Sequence, residues 1–117
     1  MKKILLADDD STVRLLVRAT LRNDEYELIE ASDGEEALAL ARSERPDLIL
    51  LDVTMPRLDG LEVCRRLKSD LATQGIQIIM LTARPLDVQR EPTGADGYFT
   101  KPFSPLALLA KIGDILG

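Results

Sequence analysis

Histidine is absent from all 117 residues. That absence removes Ser-His-Asp triads, imidazole general bases and His-ligated zinc from consideration, so any chemistry has to run on carboxylates, hydroxyls or lysine. Cysteine occurs once, at Cys64, which leaves neither an internal disulfide nor a cysteine metal cluster and suits a reducing compartment. An excess of basic residues is also missing. Lys and Arg total 15 against 20 Asp and Glu, for a formal net charge of −5, and no basic run marks a nucleic-acid surface, so no direct nucleic-acid partner is expected. Long apolar runs are lacking too. Ile4-Leu5-Leu6-Ala7 follows Lys2-Lys3 but is stopped by Asp8-Asp9-Asp10, far short of a membrane span or a signal-peptide core. The expectation is a cytoplasmic protein with no membrane contact. With no internal repeat or low-complexity tract, 45% hydrophobic and 30% charged residues describe one soluble domain, taken as residues 1–117.

What is present is a regular alternation. Residues 3–7 read as a strand ending at the three aspartates, and Val13, Leu16, Val17 and Leu21 then recur at helical spacing. Residues 26–31 form a second strand, and Ser32 with Glu35 three positions on reads as a capping box opening a helix through Ala37, Leu38 and Ala41. Leu48 to Leu51 is apolar without alternation, as for a strand covered on both faces, and ends at Asp52. Thr54 to Asp59 is a loop, after which Asp59 and Glu62 can cap a helix carrying Leu61, Cys64 and Leu67. Ile76 to Leu81 is a fourth strand ending at Thr82, and Gly97 to Thr100 a fifth ending at Lys101-Pro102. Ser104-Pro105 opens a last helix through Leu108, Leu109, Ile112 and Leu116. Alternation of this kind predicts an α/β fold, a parallel sheet with helices on both faces.

Ligands of such sheets bind beyond the carboxyl ends of the strands. Those ends here carry Asp8-Asp9-Asp10, Asp52, Thr82 and Lys101. Bringing Asp8, Asp9 and Asp52 together would raise their pKa values by mutual repulsion, which makes a divalent cation a natural partner. Hard oxygen donors with an incomplete shell suit Mg²⁺, which keeps waters and takes a phosphoryl oxygen. A hydroxyl at Thr82 and an ammonium at Lys101 can hold further phosphoryl oxygens, with one carboxylate as nucleophile.

Four fragments, each at a strand end, together resemble the receiver domain of bacterial two-component response regulators, similar to the single-domain chemotaxis-type regulators. They are Asp8-Asp9, Leu51-Asp52-Val53-Thr54-Met55-Pro56-Arg57-Leu58-Asp59-Gly60, Leu81-Thr82-Ala83 and Tyr98-Phe99-Thr100-Lys101-Pro102-Phe103. The resemblance implies a flavodoxin-like (βα)5 sandwich with a five-stranded parallel sheet in the order 2-1-3-4-5. It implies that Asp52 is the phosphoacceptor and that Asp9, Asp52 and the Thr54 backbone carbonyl bind Mg²⁺, with Asp8 reaching the metal largely through water. Thr82, the Ala83 backbone N–H and Lys101 would contact the phosphoryl group. Thr82 and Tyr98 would act as the switch, and the Lys101–Pro102 bond would be cis. The donor would be a phosphohistidine on a sensor histidine kinase or phosphotransfer protein, or a small acyl phosphate; the lack of histidine in this chain requires the donor to be another molecule. Such a domain is not an enzyme acting on other molecules, but it catalyses its own phosphorylation and dephosphorylation. Its downstream target is left open, and a homodimer is possible within the family.

One departure stands out. The stretch from Thr82 to Lys101 is shorter than the family's usual spacing by about one helical turn, roughly three or four residues. What remains, from Arg84 to Gly94, contains Pro85, Pro92 and Gly94, so the fourth helix is expected to be shortened or irregular and the output surface altered. Two other functions fit parts of the sequence. Asp8-Asp9-Asp10-Ser11-Thr12 matches the Asp-x-Asp-x-Thr signature of haloacid-dehalogenase-type phosphatases, with Asp8 as nucleophile and Asp10 as acid/base. A receiver-like interaction module regulated without phosphorylation is the third reading. Asp10 and Asp59 also suit plain capping roles, and Cys64 shares a stripe with Leu61 and Leu67 that suits packing.

Overall fold

In the computed structural model, residues 1–22, 26–83 and 94–116 are described. They form β1 (Lys2–Ala7), α1 (Ser11–Leu21), β2 (Tyr26–Ala31), α2 (Gly34–Glu44), β3 (Leu48–Asp52), α3 (Gly60–Ser69), β4 (Gln77–Thr82), β5 (Gly97–Thr100) and α4 (Pro105–Leu116). All strand pairs are parallel, and the sheet order is β2-β1-β3-β4-β5, as the resemblance implied. The expected short or irregular helix falls on residues 84–93, which lie outside the described residues. Among the described residues no helix is long and apolar enough to cross a membrane.

The central strand β3 is buried over its whole length because helices cover both faces. Its alternate residues divide between two cores. Ile49 and Leu51 face a cluster with Ala37, Leu38 and Ala41 of α2 and Val63, Cys64 and Leu67 of α3. Leu48 and Leu50 face the other side, against Val17 and Leu21 of α1 and Leu108 and Ile112 of α4. Cys64 is fully buried in the first cluster, in keeping with a packing role.

Local details adjust the sequence reading in three places. Helix α2 is capped by Asp33, whose carboxylate accepts the Glu36 N–H at 2.8 Å, while Glu36 reaches back to the Ser32 N–H at 2.7 Å. The capping box is thus Asp33 with Glu36 rather than Ser32 with Glu35, because a carboxylate at the cap satisfies the same donor and also faces the positive end of the helix. β4 runs from Gln77 to Thr82, one residue later than expected, because Ile76 is taken up by the turn bond from its N–H to the Thr73 carbonyl. On α1, Leu16 is 37% exposed, so the buried stripe narrows to Val17 and Leu21 with Val13 half-buried.

Candidate functional site

β1 and β3 are neighbours, yet the chain leaves β1 toward β2 on one side and returns to β3 on the other, so the crevice beyond their carboxyl ends is a topological switch point. The register pairs Ala7 with Leu51, which sets Asp8 and Asp52, the next residue of each strand, side by side. Carboxylate oxygens of Asp8, Asp9 and Asp52 all lie within 4.8 Å of one another. On the far side of β3, Thr82 pairs with Thr100, and the Lys101 N–H donates to the Thr82 carbonyl at 2.8 Å. That bond starts Lys101 across the strand ends. Its ammonium reaches Asp8 Oδ2 at 2.7 Å and Asp52 Oδ1 at 3.2 Å.

Asp8 has no exposed surface, and both of its carboxylate oxygens are engaged. Oδ1 accepts the Asp10 N–H at 2.9 Å and Oδ2 accepts the Lys101 ammonium. Asp52 is 7% exposed and Asp9 is exposed, so the cluster opens to solvent on the Asp9 side. Burial first, and then the Asp8 charge, push the Asp52 carboxyl up to about 6, against the opposing pull of Lys101 and of the Thr54 N–H that bonds it. Burial pulls the Lys101 ammonium down most strongly of any single influence, but its bonds and charge pairing with Asp8 and Asp52 together hold it above its ordinary value.

The loop after β3 is shaped by a close approach. Asp59 caps α3 by accepting the Glu62 N–H at 2.9 Å, and the Gly60 N–H donates to the Val53 carbonyl at 2.8 Å. This folds the loop so tightly that a Cβ on Gly60 would run into the carbonyl oxygen of Asp52. The glycine therefore lets α3 start directly behind Asp52. Thr54 is exposed at the start of the loop, with its backbone N–H on the Asp52 carboxylate.

Thr82 is buried at the end of β4, and Ala83 beyond it is exposed. Ala83 lines a cavity of about 340 Å³ together with Val13, Leu16, Lys101, Pro102 and Phe103, an apolar recess adjoining the lysine. The Lys101–Pro102 bond is cis. Tyr98 pairs with Met80 on β4 and is 38% exposed. By strand alternation Tyr98, Thr100, Met80 and Thr82 share one face of the sheet, so Thr82 and Tyr98 stand on the same surface, although Tyr98 is not among the residues gathered at the acidic cluster.

Asp10 takes the capping role, its side chain accepting the Thr12 N–H at 2.8 Å, and it is not part of the cluster. Two participants escaped the sequence reading. In the sequence Gly60 is only the last residue of the Leu51–Gly60 fragment, and its approach to the Asp52 carbonyl shows its place. Arg14 donates from Nη1 to the Asp8 carbonyl at 2.8 Å. A cation in the first turn of a helix opposes the helix dipole, and that anomaly was the available signal.

Residues 4–113 match the model of the response regulator receiver domain. The chain belongs to that family, the receiver domains of two-component systems. It is 45% identical over 118 residues to the alkaline phosphatase synthesis transcriptional regulatory protein PhoP of Bacillus subtilis, covering 98% of this chain and 48% of that protein. It is 42% identical to the phosphate regulon transcriptional regulatory protein PhoB of Pseudomonas aeruginosa, covering 98% of this chain and 52% of that one. The chain thus spans about half the length of the curated relatives it matches. Among solved structures, the chemotaxis response regulator CheY4 of Vibrio cholerae superposes with a TM-score of 0.91 at 36% identity, covering 98% of each chain. The receiver domain of the sensor histidine kinase PA1611 of Pseudomonas aeruginosa, with a magnesium ion coordinated in its active-site cleft, gives 0.90 at 31% identity, covering 99% of this chain and 98% of that one. Family membership displaces the dehalogenase-type phosphatase, and the burial of Asp8 with both oxygens engaged is the physical reason that this aspartate is a poor nucleophile.

Proposed function

We propose that Asp52 is the phosphoacceptor of this receiver domain and that its modification depends on Mg²⁺. The observation that carries the reading is the Asp52 carboxylate, nearly buried, within 4.8 Å of the Asp8 and Asp9 oxygens and 3.2 Å from the Lys101 ammonium. Hard carboxylate oxygens with one open side fit Mg²⁺, which supplies charge neutralisation for a phosphoryl group when bound. Asp9, Asp52 and the Thr54 backbone carbonyl are the groups that would hold it, with Asp8 acting on it largely through water.

In the reaction, an oxygen of ionised Asp52 forms a bond to phosphorus while the bond from phosphorus to the donor nitrogen, or to an acyl oxygen, breaks and its electron pair leaves with the donor. Lys101, the Thr82 hydroxyl and the Ala83 N–H hold the transferred oxygens, which places preorganised donors where negative charge accumulates. Hydrolysis reverses the gain: water attacks phosphorus, the bond to Asp52 breaks, and inorganic phosphate leaves. The donor is a phosphohistidine of a sensor histidine kinase or phosphotransfer protein, or a small acyl phosphate, as the family resemblance implies; these 117 residues hold no histidine to supply it.

The output is the one the family resemblance implies, and the shared face of Thr82 and Tyr98 supports it. Movement of Thr82 toward the modified Asp52 opens space into which Tyr98 turns, and the surface around β5 shifts population toward a form that binds its target or a second copy of the chain. Intact-mass measurement after incubation with acetyl phosphate and Mg²⁺ tests the reading. The expected result is one phosphoryl adduct that is abolished by a chelator and by Asp52→Asn. No adduct on the parent, together with no Mg²⁺ binding, would establish instead a module regulated without phosphorylation.

A further inference from the structure

The peptide unit between Asp8 and Asp9 joins two of the three acids of the cluster, so its orientation sets where both carboxylates can point. Its carbonyl end is anchored: the Asp8 carbonyl accepts Arg14 Nη1 at 2.8 Å, and the preceding peptide is tied to β2 by the Asp8 N–H, which donates to the Ala31 carbonyl at 3.1 Å. Arg14 is itself held from behind. Its Nε lies 3.8 Å from Glu30 Oε1, and Glu30 is clamped by Arg18 through two bonds of 2.9 and 2.8 Å. The guanidinium is therefore fixed between β2 and the Asp8–Asp9 peptide, a planar fork using separate nitrogens on separate partners.

We infer that Arg14 is a positioning residue for the metal site: by locking the Asp8–Asp9 peptide plane it presets the two carboxylates and raises the affinity for Mg²⁺. The inference rests on the proposed function of the same cluster. Arg14 touches neither the metal nor the phosphoryl group; it acts through the Asp8 carbonyl, in the way outer partners of metal ligands commonly tune affinity. Its sign separates it from simple electrostatics. A guanidinium near a cation site repels the cation, so removing the charge alone would tighten Mg²⁺ binding. Loss of positioning weakens it.

The test is calorimetric titration of Mg²⁺ into the parent, Arg14→Met, Arg14→Lys and Arg18→Ala, each checked for a cooperative thermal transition. Arg14→Met is expected to weaken Mg²⁺ about tenfold. Arg14→Lys, which keeps the charge but not the fork, is expected to fall between it and the parent, and it decides the matter if Arg14→Met does not fold. Arg18→Ala removes one of the two arginines on Glu30 but leaves Arg14 its pairing with Glu30 and its bond to the Asp8 carbonyl, so it is expected to stay within about twofold of the parent. Labelling by acetyl phosphate is expected to be slow in the Arg14 variants at low Mg²⁺ and to recover at saturating Mg²⁺. Unchanged or tighter binding in the Arg14 variants overturns the inference, as does an equal loss in Arg18→Ala, which would make Arg14 part of a structural tie. A parent that binds no Mg²⁺ overturns the functional reading and this inference with it, whereas a parent that binds while the Arg14 variants match it overturns this inference alone.

Discussion

Lys101 Nζ lies 2.7 Å from Oδ2 of Asp8, a fully buried carboxylate 93 residues earlier in the chain. The ammonium offsets part of the mutual repulsion among the three acids of the site. Removing it leaves Asp8 and Asp52 close together with no cation between them, and breaking a buried pair from one side is strongly destabilising. Lys101→Met is expected to lower unfolding stability by about 3 kcal/mol at pH 7. Urea titration in the absence of divalent cations checks it. The deficit should shrink when Mg²⁺ is added, because the cation takes over the neutralisation.

The raised pKa of Asp52 has a definite sign in stability. A carboxyl at about 6 in the folded protein, against about 3.9 in the unfolded chain, keeps its proton more tightly when folded. Its favourable contribution is complete below about pH 4 and is lost as pH rises through about 6. Above that, ionised Asp52 costs on the order of 2 to 3 kcal/mol. Asp52→Asn is therefore expected to be more stable than the parent at pH 7.5 and to show a flatter stability profile between pH 4 and 6, measured by denaturant unfolding across pH. NMR titration of the Asp52 carboxyl should move to lower pH on adding Mg²⁺, since a nearby cation favours the ionised form.

Gly60 admits no side chain without displacing the Asp52 backbone. Gly60→Ala is expected to destabilise the domain by about 2 kcal/mol or more and to slow phosphorylation at saturating Mg²⁺, because the shift falls on Asp52, the proposed phosphoacceptor. Unfolding and acetyl phosphate labelling measured together check it. Gly75→Ala is the control, since a Cβ there meets nothing.

At the opposite end of the sheet, Lys68 donates to the carbonyls of Gln74 and Ile76 at 3.1 and 2.7 Å and to Asp96 Oδ2 at 2.9 Å. Asp96 in turn accepts the Ile78 N–H at 2.8 Å. The pair ties α3 to the entrances of β4 and β5. Lys68→Met is expected to cost about 1 to 2 kcal/mol and to raise amide exchange at Ile78 and Asp96 while leaving labelling of Asp52 near the parent rate. Hydrogen exchange by mass spectrometry reads it.

Much of this protein is legible in its sequence. Apolar runs of strand length, stripes of helical spacing and acids or hydroxyls closing each strand are local patterns, and the fold followed from their order because parallel strands need crossovers of one hand. Asp8, Asp9, Asp52, Thr82 and Lys101 stood out because each falls at a carboxyl end of a strand. The cap of α2 was displaced by one residue because Ser32-x-x-Glu35 and Asp33-x-x-Glu36 satisfy the same pattern, and only the backbone path chooses between them. The exposure of Leu16 was hidden for a related reason, since a helical stripe does not say how wide the facing groove is.

By itself, then, the sequence determined the order of the described elements, the two-sided burial of β3 and which acids, hydroxyl and lysine fall at the strand ends, because periodicity and strand-end chemistry are written in neighbouring residues. Tertiary structure alone decided that Asp8 is the inaccessible acid while Asp9 faces solvent, that Gly60 underlies the Asp52 backbone, and that Arg14 reaches the Asp8 carbonyl. Those relationships depend on register and on how closely a loop approaches a helix, which no local pattern encodes.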